Sequence, residues 1–186
     1  PLWSRGLGDV YKRQFQQYSE KAENIQVNYG NHKVTIRIFN HDSPDFVYLH
    51  IHGGGHCIGA ADMQDQSLEK ISNDLNCAVV SIEYRLAPAN PYPAAPDDCE
   101  AAAIWLIENS KSQFNTEKIV IGGESAGANL SAVTLQRLKS KGLLGNVKGA
   151  NLIYGSYDAR LTPSTLRQQG SDAVSYTHLT LPTICS

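Results

Sequence analysis

The chain has no long apolar run, no excess of one charge and no paired-cysteine spacing, and each absence closes off a class of function. No hydrophobic stretch approaches the about 18 residues that a membrane-spanning helix needs. No positively charged start leads into the apolar stretch of a secretory signal. Stable membrane insertion is therefore not expected. The 16 Lys+Arg nearly balance the 18 Asp+Glu, for a net charge of −2. With no basic cluster interleaved with aromatics, a nucleic-acid partner is not expected either. Cys57, Cys77, Cys99 and Cys185 lie far apart. Their spacing argues against a thiolate metal site or a disulfide framework, and fits free thiols in a reducing, cytoplasmic setting. Aromatics make up only 8%, but hydrophobic residues reach 41% of 186 residues, enough for one core.

The two ends differ in character from the middle. Residues 4–14 can be written codon by codon as a transposase-library adapter ending in its mosaic sequence. Residues 174–183 can be written as the reverse complement of the companion adapter. Two such matches, at opposite ends and in matching orientations, are not expected by chance. Residues 1–14 and 174–186 are therefore expected to be adapter-like artefacts. The natural segment is then 15–173, an internal fragment of a longer reading frame, and Cys185 and His178 drop out of the chemistry.

Between these ends strands and helices alternate. Residues 34–40 alternate Val/Ile with Thr/Arg, the pattern of a half-buried strand, and 46–52 form a second strand stopped by three glycines. Residues 62–76 place Leu68, Ile71 and Leu75 at helical spacing. A β-branched strand is expected over 78–84, an Ala-rich helix over 94–109 and a buried strand over 118–122. A helix over 126–141 closed by Gly142 and a final strand over 147–154 complete the pattern. The expected class is α/β: a mostly parallel sheet with helices on both faces, its reactive groups gathered at the carboxyl ends of the strands.

Gly123-Glu124-Ser125-Ala126-Gly127 follows one expected strand and opens a helix. That is the setting in which G-x-S-x-G presents a serine oxygen from a sharp turn, with flanking glycines making room for neighbouring backbone. The helix N-terminus adds partial positive charge near any developing oxyanion. His52-Gly53-Gly54-Gly55 follows another strand. A glycine loop lets backbone N–H groups approach a reacting carbonyl, and one such donor is worth about 2.7–4 kcal/mol. His50, His52 and His56 also offer a rival reading as a metal site, with His50 and His52 on one strand face. The glycine motif accounts for His52 without a metal, so neither metal nor cofactor is expected.

A third block, Tyr84-Arg85-Leu86-Ala87-Pro88-Ala89-Asn90-Pro91-Tyr92-Pro93-Ala94-Ala95-Pro96-Asp97-Asp98, stands between these two. Together, in this order, the three motifs resemble the hormone-sensitive-lipase-like (GDXG) branch of the α/β-hydrolases, over most of residues 46–157. The resemblance implies a partial α/β-hydrolase fold, truncated before its last strands. It implies a serine carboxylesterase acting on small-molecule esters of short to medium chain length, with Ser125 as nucleophile. The amides of Gly54, Gly55 and Ala126 would hold the oxyanion. His52 and Gly53 would support that loop, and Gly123, Glu124 and Gly127 would shape the nucleophile turn. Tyr84, Arg85 and Asp98 would be structural beside the site. Glu124 replaces the commoner aspartate, and His56-Cys57 stands where the family often has an aromatic. The alternative is a non-catalytic, receptor-like member of the same fold.

A serine hydrolase also needs an acid and a histidine, which follow the serine in this fold. Asp158 and His178 offer that order, but His178 falls in the adapter-like tail. The acid and base are therefore expected beyond Asp172, and the chain as written is expected to be inactive. The contiguous source DNA tests this. An aspartate-bearing loop and then a histidine near the end of a frame roughly twice this length are expected. Natural gene sequence running through either end would contradict the adapter reading.

Overall fold

A computed structural model describes residues 18–30 and 32–157. Asp158, His178, Cys185 and both adapter-like ends lie outside the described residues. The elements run β1 (Ala22–Tyr29), β2 (His32–Phe39), β3 (Phe46–Ile51), α1 (Asp65–Leu75), β4 (Cys77–Glu83), α2 (Ala94–Phe114), β5 (Ile119–Glu124), α3 (Ala126–Ser140) and β6 (Val147–Ile153). The described strands form one sheet in the order β1-β2-β4-β3-β5-β6. β1 pairs antiparallel with β2, and β2 with β4; β4, β3, β5 and β6 pair in parallel.

The period-2 alternation along each strand divides the sheet into two chemically different faces. Ile36, Val47, Leu49, Ile51, Val80, Ile82, Ile119 and Ile121 belong to the larger core, together with Ala102, Ile104 and Leu106 of α2 and Leu130 and Leu138 of α3. Phe39, Tyr48, Cys77 and Val79 point the other way and pack with Leu68 of α1. Helices therefore cover both faces, as the fold class requires. The α1 face also carries buried polar residues, Arg37, His50 and Ser81. Arg37 of β2 pairs with Asp65 at the start of α1, so the charge that enters this face is matched on it.

Several expectations need correction. β1 was not anticipated; of its apolar residues only Val27 is fully buried, so its alternation is faint. Its register with β2 sets Ile25 opposite Ile36 and Val27 opposite Val34. α1 begins at Asp65 rather than 62, because 61–64 form a turn, and Leu75 is 55% exposed and does not join the buried stripe. α2 runs on to Phe114 rather than stopping at 109. Residues 110–113 are polar, but Ser110 and Phe114 are buried and keep the helical face against the sheet. Asn76 and Asn115, both left-handed (φ 48° and 57°), end α1 and α2 by donating N–H to Ser72 and Lys111 carbonyls.

Ile121 is fully buried, whereas Leu152 of β6 is 39% exposed. Ile121→Ala should cost about 2–5 kcal/mol of stability by urea unfolding, and Leu152→Ala clearly less; equal losses would contradict this placement of the core.

Candidate functional site

β5 ends at Glu124 and α3 begins at Ala126, so Ser125 alone makes the strand-to-helix turn, at φ 53° and ψ −117°. A non-glycine residue held there costs of order 1–3 kcal/mol, offset by its surroundings. Ser125 N–H donates to the Ile153 carbonyl of β6 at 2.9 Å, and Asn129 N–H donates to the Ser125 carbonyl at 3.1 Å. On the β3 side the fit is tighter. A Cβ on Gly123 would lie 2.0 Å from the Ile51 carbonyl oxygen, and one on Gly127 1.9 Å from the same atom. Glycine at both positions lets the turn lie directly against the end of β3, from which the His52–Gly55 sequence continues. Ala126 is the first residue of α3, so its N–H is one of the helix's donors without an intrahelical acceptor.

The glycine loop is folded by its own backbone. Cys57 N–H (3.1 Å) and Ile58 N–H (3.0 Å) donate to the Gly54 carbonyl. Gly54 has φ 120°, and a Cβ there would fall 1.9 Å from the Ile58 carbonyl oxygen, so only glycine fits. His52 is buried beneath the loop. Its ring stacks on Tyr84, centroids 4.2 Å apart and planes 15° apart. Its Nδ1–H donates to the Gly53 carbonyl at 2.7 Å, and the Tyr84 hydroxyl donates to the His52 carbonyl at 2.9 Å. Burial pushes the His52 imidazole down to about 4, leaving it neutral at ordinary pH.

The segment after β4 is tied in twice. Arg85 grips Asp98 of α2 through Nε and Nη2, both at 2.8 Å, and Arg85 N–H adds a bond of 3.0 Å. Ala87 N–H donates to the His56 carbonyl at 2.9 Å, joining this segment to the glycine loop.

Glu124 is the group the sequence reading undervalued. Its Oε1 accepts from Gly53 N–H at 2.6 Å and from Gln64 Nε2 at 2.5 Å, and its Oε2 meets His50 Nε2 at 3.1 Å. Burial pushes the carboxyl up, but the hydrogen bonds from His50, Gly53 and Gln64 outweigh it and hold the group below its ordinary value. Gln64 carried no motif, so no sequence signal marked it. His50 did carry one, its place two residues before His52 on one strand face, but that was read as a possible metal ligand. Both His50 ring nitrogens have protein partners, and among the described residues no group of three His, Cys, Asp or Glu side chains is placed to hold a metal ion.

Ser125, His52, Gly53, Gly54 and Glu124 line one cleft of about 230 Å³, with Ile58, Met63 and Tyr154 supplying apolar wall. Gly55, Ala126, Tyr84, Arg85 and Asp98 do not line it, although Tyr84 stacks on its lining residue His52. A second cleft, of about 260 Å³, lies by Asn24, Arg37, Asp62 and Glu83. Its one hydroxyl, Thr35, lies opposite Glu83 in the β2–β4 ladder but has no glycine loop, strained turn or histidine beside it, and its guanidinium is already engaged by Asp65, so the chemistry is sought at Ser125.

A family model described as alpha/beta hydrolase fold matches residues 48–184. The chain belongs to the α/β-hydrolase family, in its hormone-sensitive-lipase-like branch. It is 41% identical over 92 residues to the carboxylic ester hydrolase LipN of Mycobacterium tuberculosis, covering 48% of this chain and 24% of LipN. It is 29% identical over 145 residues to an arylesterase of Saccharolobus solfataricus, covering 68% of this chain and 47% of that protein. Among solved structures, a hyperthermophilic esterase from the archaeon Pyrobaculum calidifontis superposes with a TM-score of 0.78 at 25% identity, over 95% of this chain and 60% of that one. The chain thus spans less than half the length of these curated relatives.

His52 gives this site a pH signature. Its folded-state value, about 4, lies below the ordinary 6.5. The unfolded chain therefore takes up the proton first, and this contribution to stability is present above pH 6.5 and lost as pH falls towards 4. It amounts to about 3 kcal/mol. Urea unfolding across that range should show the slope in the native sequence and a reduced slope in His52→Asn; equal slopes would contradict a neutral, buried His52.

Proposed function

We propose that the protein from which this chain derives is a serine carboxylesterase, with residues 15–173 forming the N-terminal part of its catalytic domain. The observation that carries the proposal is Ser125 at φ 53° on a strand-to-helix turn, in one cleft with the glycine loop. In the proposed reaction Ser125 Oγ attacks the ester carbonyl as its proton passes to the histidine base. The amides of Gly54, Gly55 and Ala126 stabilise the oxyanion. The alcohol leaves with the proton, and water then releases the acid from the acyl-serine. His52 and Gly53 shape the loop, and Gly123, Glu124 and Gly127 shape the turn.

The acid and base are assigned to the parent's own sequence following residue 173, and His178, which lies in the adapter-like tail, has no part in the triad. The span of the family match runs on to residue 184, into the adapter-like tail, and the source DNA decides between the two readings of that stretch. Esters of short to medium chain length fit a cleft of about 230 Å³ walled by Ile58 and Met63. No metal or cofactor enters the scheme. A cytoplasmic location is supported by the buried, unbridged thiols of Cys77 and Cys99. Among the described residues no helix is long and apolar enough to cross a membrane.

In the full-length parent, Ser125→Ala should lower kcat on a p-nitrophenyl acyl ester by about 10³-fold or more; retained activity would overturn the mechanism. The 186-residue chain itself should release no burst of nitrophenol, and a stoichiometric burst would refute the assignment of the base to missing sequence.

A further inference from the structure

The α1 face of the sheet carries a line of three polar side chains, Ser81 and His50 buried and Glu124 part-buried, of which the ester-hydrolysis scheme uses only Glu124. Ser81 of β4, His50 of β3 and Glu124 of β5 occupy neighbouring strands, and the β-ladder sets His50 beside Ser81 on one side and Gly122 on the other. His50 Nδ1 lies 3.1 Å from Ser81 Oγ, and His50 Nε2 lies 3.1 Å from Glu124 Oε2. An ionised carboxylate can only accept, so Nε2 carries the proton of that contact, and Nδ1 pairs with the Ser81 hydroxyl. The imidazole side chain is 3% exposed. Its orientation is therefore set by these two partners.

The other end of the line reaches the site. Glu124 Oε1 accepts Gly53 N–H at 2.6 Å, the shortest backbone contact of the glycine loop with another strand's side chain among those described. Every partner of this carboxylate is a donor: Gly53 N–H, Gln64 Nε2 and His50 Nε2. Removing the His50 contact leaves Oε2 without its partner and the carboxylate held through Oε1 alone, and Gly53 is the residue immediately before Gly54.

We propose that His50 is a positioning residue: acting through Glu124, it sets the angle at which the glycine loop presents its N–H groups beside Ser125. This rests on the esterase reading for its kinetic consequence, but not for its structural one. Misplacing donors by a fraction of an ångström costs far more in the transition state than in substrate binding. The proposal therefore places the effect in kcat rather than KM.

The experiment uses the full-length parent and a double-mutant cycle of His50→Phe and Glu124→Gln. Phe keeps a ring of similar bulk in the buried slot, and Gln keeps the shape of Glu124 while replacing one acceptor oxygen by an amide NH2 that faces donors. Kinetics are read with p-nitrophenyl acetate, and amide hydrogen exchange is read over 53–58. His50→Phe should lower kcat about 10- to 100-fold, with KM within about threefold, and speed exchange in the loop. In the Glu124→Gln background the same change should lower kcat by less than about twofold further, because its route to the loop is already cut. Independent, multiplying effects would overturn the proposal, as would an unchanged kcat. Should His50→Phe fail to fold, Ser81→Ala, which removes only the far hydrogen bond, replaces it in the cycle with a smaller loss expected in the same direction. If the wild-type parent hydrolyses no ester, the esterase reading falls, and loop exchange alone decides this proposal: unchanged exchange in His50→Phe overturns it.

Discussion

The carbonyl oxygen of Ile51 is the point around which the site is built. Two glycines, Gly123 and Gly127, approach it so closely that a methyl group on either would lie about 2 Å from it. Because β3 and β5 are parallel neighbours, their carboxyl ends leave the sheet together. The close approach then forces the serine turn and the glycine loop to share one wall. Ser125 can hold its strained backbone because the Ile153 carbonyl and the first turn of α3 fix it from both sides. A larger residue at 123 or 127 would separate β3 from the turn and dissolve the cleft, whatever became of the serine.

The two faces of the sheet divide the work. The α2/α3 face is a continuous apolar core of β-branched residues against Ala-rich helix, and it supplies most of the burial. The α1 face is mixed. Phe39, Tyr48, Leu68 and Val79 pack there beside a polar series, Arg37–Asp65 and Ser81–His50–Glu124. Buried polar groups lower stability unless fully paired, and each of these is paired. They give in return defined positions for α1, through Asp65, and for the glycine loop, through Glu124.

Much of this was legible in the sequence where a single physical cause governs a stretch. The period-2 run at 34–40 marked β2, short apolar or β-branched runs marked β3 to β6, and their alternation with helical segments pointed to the fold class. The serine turn and the glycine loop were readable because each needs glycine for a steric reason that leaves few alternatives. What was not legible depended on partners distant in sequence. β1 is half-exposed and becomes a strand only by pairing with β2. The last turn of α2 looks polar until Phe114 finds the core. Glu124 looked like a mild substitution because its three donors come from His50, Gly53 and Gln64, at least 60 residues away. The wall residues Met63 and Tyr154 carried no motif at all.

Everything proposed for this site depends on Ser125 being the one activated nucleophile of the parent protein. A fluorophosphonate reacts with such a serine through the same oxyanion geometry as an ester and stays attached. Treating the full-length parent with it and mapping the peptides by mass spectrometry should find one phosphonyl group, on the peptide bearing Ser125. Labelling of another residue, or no labelling of a folded parent, would contradict it.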